Sequence, residues 1–248
     1  PPQPTFNTNQ INFNPAVNFT NNPGTSLNIP DLANIRQSYW VAQDVTAAGN
    51  TYFHVLFGND ANLYGAATTP NFHGGLAGAV QFTANMSAAQ GGWRKDGTVG
   101  SAASTYDFGA QGKPNLMTSF ALQDNAPFSA QSISFQAGQA RSWNGPIAEI
   151  ITFQNQFSTN QQNIVETYLG VKYGITVGHD YVTPDGTIVW NRTTNTAYHN
   201  NVFGLGRSDS QGLHQRQSFS TNFTGRFITL GNNSVIGCLL YTSDAADE

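Results

Sequence analysis

The sequence predicts an all-β sandwich that carries one helix. Three observations predict it. Short runs of alternating apolar and polar residues recur along the chain, separated by clusters of Gly, Asn, Pro and Ser. This is the pattern of half-buried strands joined by turns. Aromatic residues make up 12% of the 248 residues and charged residues only 10%, where an ordinary globular chain has about 25% charged. Disordered chains show the opposite bias. Finally, one segment, 159–173, has helical spacing between a capping sequence and a glycine.

The strands come first. In 11–19, Ile11, Phe13, Val17 and Phe19 interleave with Asn and read as one half-buried strand. Asn21-Asn22-Pro23-Gly24 then forms a turn cluster. Further strands are predicted at 37–45, 52–57, 76–83, 116–123, 132–136 and 146–153. Leu116, Thr118, Phe120 and Leu122 share a face by period two, as do Ile147, Glu149, Ile151 and Phe153. Ile150 lies opposite, so this strand is apolar on most of both faces and is expected at the centre of a sheet.

The helix is bounded by Ser158 as N-cap, with Gln161 completing a capping box, and by Gly174 at its end. Ile164, Val165, Tyr168, Leu169 and Lys172 follow helical spacing between them. A turn-rich join runs from Asp180 to Gly186. A second β unit is expected after it, at 187–190, 201–206 and 226–231, truncated before it can close a core. Its open edge is expected to make the whole chain aggregate more than 1–178 alone.

Composition excludes several functions. Asn (27) and Gln (18) fill the place of charge. The net charge is −4 and the ten basic residues are scattered without a stripe, so no nucleic-acid partner is expected. No apolar run reaches about 18 residues, so no membrane-spanning helix is expected. Cys238 to Glu248 departs from the rest in composition and resembles the translation of a transposase-type sequencing adapter. On that reading the natural fragment ends near Gly237, with eleven acidic residues against ten basic ones and no cysteine. Disulfide, thiolate-metal and cysteine-nucleophile chemistry then drop out.

A family resemblance rests on three stretches. They are Trp143-Asn-Gly-Pro-Ile-Ala-Glu-Ile-Ile-Thr-Phe153, Phe157-Ser-Thr-Asn-Gln161 and Val165-Glu-Thr-Tyr-Leu-Gly-Val-Lys-Tyr-Gly-Ile175. Together they resemble the closing strand and helix of laminin-G-like, concanavalin A-like jelly rolls in large secreted bacterial proteins. Residues 200–218 resemble the piece that follows in that group. The resemblance implies a concanavalin A-like jelly-roll sandwich of two antiparallel sheets with one C-terminal helix, about 159–173. It also implies an extracellular or cell-surface setting and a non-catalytic role. The expected organisation is 1–178 as the laminin-G-like sandwich, 179–237 as the truncated β unit and 238–248 as the adapter-derived tail.

Catalytic signals are sparse. Retaining glycoside hydrolysis needs two carboxylates about 5 Å apart. Glu149 stands alone on its strand, with Gly145, Ile147, Ile151 and Phe153 as period-two neighbours. It is read as structural, bonded to loop amides or to Lys or Arg. Glu166 is read as a solvated helix residue. The histidines, His54, His73, His179, His199 and His214, show no zinc-ligand spacing and are read as strand or loop surface residues. Gly204-Leu-Gly206-Arg lacks the third glycine of a dinucleotide fingerprint.

Two binding candidates remain. Asn59, Asp60 and Asn62 place three oxygen-bearing side chains in one short loop, a candidate Ca2+ site, although a plain Asn/Asp turn accounts for them as well. Trp93, Arg94 and Asp96 surround the hairpin dipeptide Asp96-Gly97. A Trp at a hairpin tip, flanked by Arg and Asp, is suited to stack on a sugar and bond its hydroxyls. The alternative is a Trp packed under its own hairpin. Three functions are thus in view: a glycan-binding or adhesive module with glycans or surface proteins as partners, a structural spacer, and a divergent polysaccharide-active enzyme.

Overall fold

A computed structural model describes residues 2–20, 25–28, 37–43, 52–58, 71–76, 92–100, 113–120, 130–136, 141–223 and 225–232; of these, 28, 52–58, 71–76, 130–132, 135–136 and 141–142 are described as backbone only. The strands of the sandwich are β1 (Thr5–Ile11), β2 (Asn14–Phe19), β3 (Leu27–Asn28), β4 (Gln37–Gln43), β5 (Tyr52–Gly58), β6 (Asn71–Leu76), β7 (Gly92–Lys95), β8 (Thr98–Val99), β9 (Pro114–Phe120), β10 (Ala130–Ile133), β11 (Phe135–Gln136), β12 (Arg141–Ser142) and β13 (Gly145–Phe153). The single α-helix among the described residues, α1 (Thr159–Tyr173), follows. Short strands come after it: β14 (Tyr181–Val182), β15 (Ile188–Trp190), β16 (Gly206–Ser208), β17 (Leu213–Gln215), β18 (Gln217–Ser218) and β19 (Leu230–Gly231).

The fold is all-β and antiparallel with one helix, as the strand rhythm predicts. A seven-stranded sheet has the order β1-β2-β13-β4-β9-β7-β8, and a four-stranded sheet has the order β3-β10-β5-β6. β13 is central, between β2 and β4. Two expectations shift. The run 11–19 is not one strand: Asn12 and Phe13 turn the chain with φ of 47° and 65° and divide it into a hairpin. On β13 a bulge intervenes, since Ile147 pairs with Ala42 but Glu149 pairs with Val41. The extra residue puts Ile147 and Glu149 on opposite faces.

The strands β4 and β9 of the large sheet are buried on both faces. One face presents Tyr39, Val41, Leu116 and Thr118, all at 0% exposure. α1 packs on it, and Leu169, Tyr173, Ile175, Val177 and Tyr181 complete the core there. The other face presents Trp40, Ala42 and Met117. Trp40 meets Trp143 edge-to-face at 5.7 Å on that side.

The helix begins and ends where its signals place it. Ser158 and Gln161 form the reciprocal capping box, and Gly174 closes the helix at φ 67°. A Cβ on Gly174 would lie 2.1 Å from the Phe219 carbonyl oxygen, so the position is closed to other residues by space as well as by φ. The join at 178 does not separate two cores. Tyr181 is part of the helix core, with Trp190 and Val202 packed against it. Asn12, at the β1–β2 turn, donates to the Lys172 carbonyl and to Ser218 Oγ, and accepts from the Phe219 amide. The segment after the helix is therefore bonded to both the helix end and the first hairpin.

Candidate functional site

The Asp96-Gly97 hairpin forms as predicted, with both residues at positive φ, 46° and 74°. It is not an open tip. Asp96 accepts the Leu116 amide on Oδ1 at 2.8 Å, and its own carbonyl accepts the Gly178 amide. A Cβ on Gly97 would meet the His179 ring at 2.6 Å, and one on Gly178 would meet Thr98 Oγ1 at 2.2 Å. The hairpin is thus pressed onto the segment just after the helix. Trp93 is 6% exposed and its ring lies over Gly100, where a Cβ would approach it to 2.1 Å. Trp93, Arg94 and Asp96 therefore do not form an exposed sugar platform. The alternative reading, a Trp packed under its own hairpin, fits the geometry. Burial raises the Asp96 pKa, against the Leu116 amide and the nearby lysines, which lower it.

Arg94 reaches inward to Glu166, and this corrects the reading of Glu166 as solvated. The Glu166 side chain is 0% exposed. Its Oε2 lies 3.0 Å from Arg94 Nη1 and 2.8 Å from His179 Nε2, and its Oε1 accepts from Thr118 Oγ1 at 2.6 Å. Arg94 also donates to Asn163 Oδ1 at 2.8 Å. The other ring nitrogen of His179 lies 2.7 Å from the Asp180 carbonyl. Both facing atoms are acceptors, so both contacts are hydrogen bonds at once only in the doubly protonated ring. Burial, with the Glu166 charge adding to it, holds the Tyr39 hydroxyl far above its usual range.

A second polar cluster surrounds Glu149. Lys172 Nζ and the Tyr173 hydroxyl lie 2.9 and 2.8 Å from Oε2, and the Tyr168 hydroxyl is 3.3 Å from Oε1. Lys172 also donates to the Tyr168 hydroxyl at 2.8 Å and lies over the Tyr168 and Tyr173 rings. Glu149 is thus paired with Lys172. The strand–helix signature has a physical meaning here. Glu149 comes from the strand, Tyr168, Lys172 and Tyr173 come from the helix, and together they clamp the helix onto the sheet.

His199 is also held inside the fold. Trp190 Nε1 donates to Nδ1 at 3.0 Å, so Nε2 carries the proton and donates to the Val177 carbonyl at 2.8 Å. His179 and His199 are therefore not surface residues, whereas His214 is, with its side chain 57% exposed. His54 and His73 lie on β5 and β6. The candidate Ca2+ residues Asn59, Asp60 and Asn62 lie outside the described residues, as does the tail from Cys238. Among the described residues, no group of three His, Cys, Asp or Glu could hold a metal ion, and no helix is long and apolar enough to cross a membrane.

One open groove of about 570 Å³ lies beside β16 and β17, lined by Leu205, Gly206, Arg207, His214, Arg216 and Asn232, with Gln215 at its base. Sequence reading passes over it, because its three basic side chains come from β16, from β17 and from Arg216 just after β17, and are not contiguous. The available signal was the alternation of His214 and Arg216 around the buried Gln215.

Fold and clusters together define an all-β module with an internally clamped helix. A family described as a domain of unknown function (DUF8202) matches residues 161–238. The match starts inside α1 and runs across residue 178, so it takes in the helix together with the segment bonded to it. No curated protein and no solved structure matches the chain.

Proposed function

We propose that the chain is a non-catalytic module of a larger secreted or cell-surface bacterial protein, and that it binds carbohydrate at its surface. One observation carries the non-catalytic part. Glu149 and Glu166, the two glutamates outside the C-terminal tail, each hold the helix to the sheet through cationic partners. The partners around Glu149 are two tyrosines and a lysine, and among the described residues no second carboxylate stands there of the kind that a retaining hydrolase needs at about 5 Å. Asn and Gln side chains, in place of charges, satisfy the backbone at Asn12, Asn14, Gln37, Gln162 and Gln215. Other Asn and Gln side chains, among them Asn7, Asn9, Gln10, Asn155, Gln156 and Asn160, are exposed, and such an amide-rich surface suits sugar hydroxyls.

The test is retention of the full chain in native gels cast with a panel of polysaccharides. Retardation by at least one polymer, competed by its oligosaccharide, is the expected result. Migration unchanged by every polymer would leave the spacer reading in its place. That second reading draws on the exposed apolar side chains Phe227, Ile228 and Leu230, which fit a contact between neighbouring modules.

A further inference from the structure

We infer that the groove beside β16 and β17 binds a carboxylate-bearing sugar, the acidic unit of a uronic-acid polysaccharide. This rests on the carbohydrate-binding reading and names the chemistry of its ligand.

The register sets the site. Arg207 on β16 pairs directly with His214 on β17, so both project from one face of the hairpin. Their neighbours Gly206 and Leu213 face the helix, where Gly206 lies against Val171. Arg207 and His214 are correspondingly open, with side chains 73% and 57% exposed. Arg216 follows His214 by period two and lines the same groove. Asp209 is the sole acidic residue between 200 and 232, where three arginines fall. This stretch is locally positive in a chain of net charge −4.

Asp209 shows what the groove recognises. Its two carboxylate oxygens accept from Arg207 Nε at 2.8 Å and Nη2 at 3.1 Å, the side-on fork a guanidinium makes with a carboxylate. That contact fixes the guanidinium plane. It uses two of the five N–H donors and leaves three for a second oxyanion. Leu205 adds an apolar wall for the C–H face of a pyranose, while Gln215 and Asn232 line the groove beside it. A volume of about 570 Å³ accommodates one or two sugar units. Phosphate alone would make no use of the apolar wall.

The experiment is affinity electrophoresis of the full chain in gels containing polygalacturonate, its fully methyl-esterified form, or double-stranded DNA. Retardation by the acid, lost on esterification and weakened by salt, is expected. Arg207→Gln should weaken retention at least tenfold without moving the thermal midpoint, since the side chain is exposed. Asp209→Asn should strengthen it, because a repelling anion is removed while an acceptor for Arg207 remains. Equal retention by acid and ester, or no change in either variant, overturns the inference. So does DNA retention as strong as that by polygalacturonate, which would make the groove a general polyanion contact. Retention by a neutral polymer alone sinks this site but spares the carbohydrate reading. No retention by any polymer removes both.

Discussion

Glu166 of the helix and Arg94 of β7 form a buried ion pair, 3.0 Å apart, with side chains 0% and 6% exposed. A pair so deeply placed binds the helix to the sheet edge. It is also vulnerable, because removing one member leaves the other charged and buried. Glu166→Gln and Arg94→Met should each cost about 3–5 kcal/mol. The double variant Glu166→Gln with Arg94→Met should cost clearly less than their sum. Denaturant midpoints for the four proteins provide the check, and additive losses would show that the two residues act separately.

The Glu149 clamp is more exposed and should be worth less. The Lys172 and Glu149 side chains are 23% and 20% exposed. Glu149→Gln should lower stability by about 1 kcal/mol, near the upper end for accessible pairs, and leave glycan retention untouched. A loss of retention with the fold intact would instead give Glu149 a binding role.

Alkali should dismantle the same clamp. Burial, then the Glu149 charge, raise the Tyr173 pKa, and burial raises that of Tyr168. Burial pulls Lys172 down, but its bonds to Tyr168 and Glu149 outweigh this and hold it above its ordinary value. All three groups therefore keep their protons longer in the folded chain than in the unfolded one. Where the folded state binds more protons, stability falls as pH rises. The clamp is fully effective below about pH 10 and is lost as pH climbs through the raised folded values. The tyrosinate absorbance of Tyr168 and Tyr173, isolated from that of exposed tyrosines such as Tyr198 by difference against their Phe variants, should appear together with loss of near-ultraviolet dichroism. Ionisation of Tyr168 or Tyr173 before any unfolding would contradict this.

The hairpin turn offers a gain. Asp96 sits at positive φ, where Asn is well tolerated. Its pKa is raised, chiefly by burial, so the ionised carboxyl is disfavoured in the folded state. Asn keeps an oxygen for the Leu116 amide without the charge. Asp96→Asn should thus raise the unfolding midpoint at pH 7. The gain should shrink as pH falls through the raised folded value toward the ordinary carboxylate range, because the carboxyl then protonates in the folded state first. A variant less stable than the parent at pH 7 would show that the charge itself is needed.

Local signals in the sequence marked what local physics determines. Ser158, Gln161 and Gly174 bound the helix because caps depend on neighbouring residues, and Asp96-Gly97 marks its turn for the same reason. The Asn12-Phe13 turn carries no glycine, so its apolar alternation reads as continuous strand. Ile147 changes face through a bulge that leaves period two intact in the sequence. Glu166 was missed because the inner stripe of the helix, Gln162, Glu166, Leu169 and Tyr173, is half polar. Its apolar residues alone point the helix about one position away. What pairs with Glu166 comes from β7, β9 and the loop after the helix, contacts that spacing does not encode.

The segment after the helix should stabilise the sandwich rather than burden it. Cutting after 178 removes Tyr181 from the helix core, His179 from Glu166, and Ser218 and Phe219 from Asn12. It leaves Leu169 and Tyr173, now fully buried or nearly so, at a bared helix end. The piece 1–178 should therefore unfold at lower denaturant than the full chain and scatter more light, reversing the expectation from an open second unit. The exposed edge still has its own effect. Phe227 and Ile228 are 81% and 64% exposed and make an apolar patch. Phe227→Ser with Ile228→Thr should reduce scattering of the full chain while leaving its midpoint within about 0.5 kcal/mol. Truncation that improves both midpoint and clarity would mean that the contacts from Asn12 and Tyr181 do not hold the fold together.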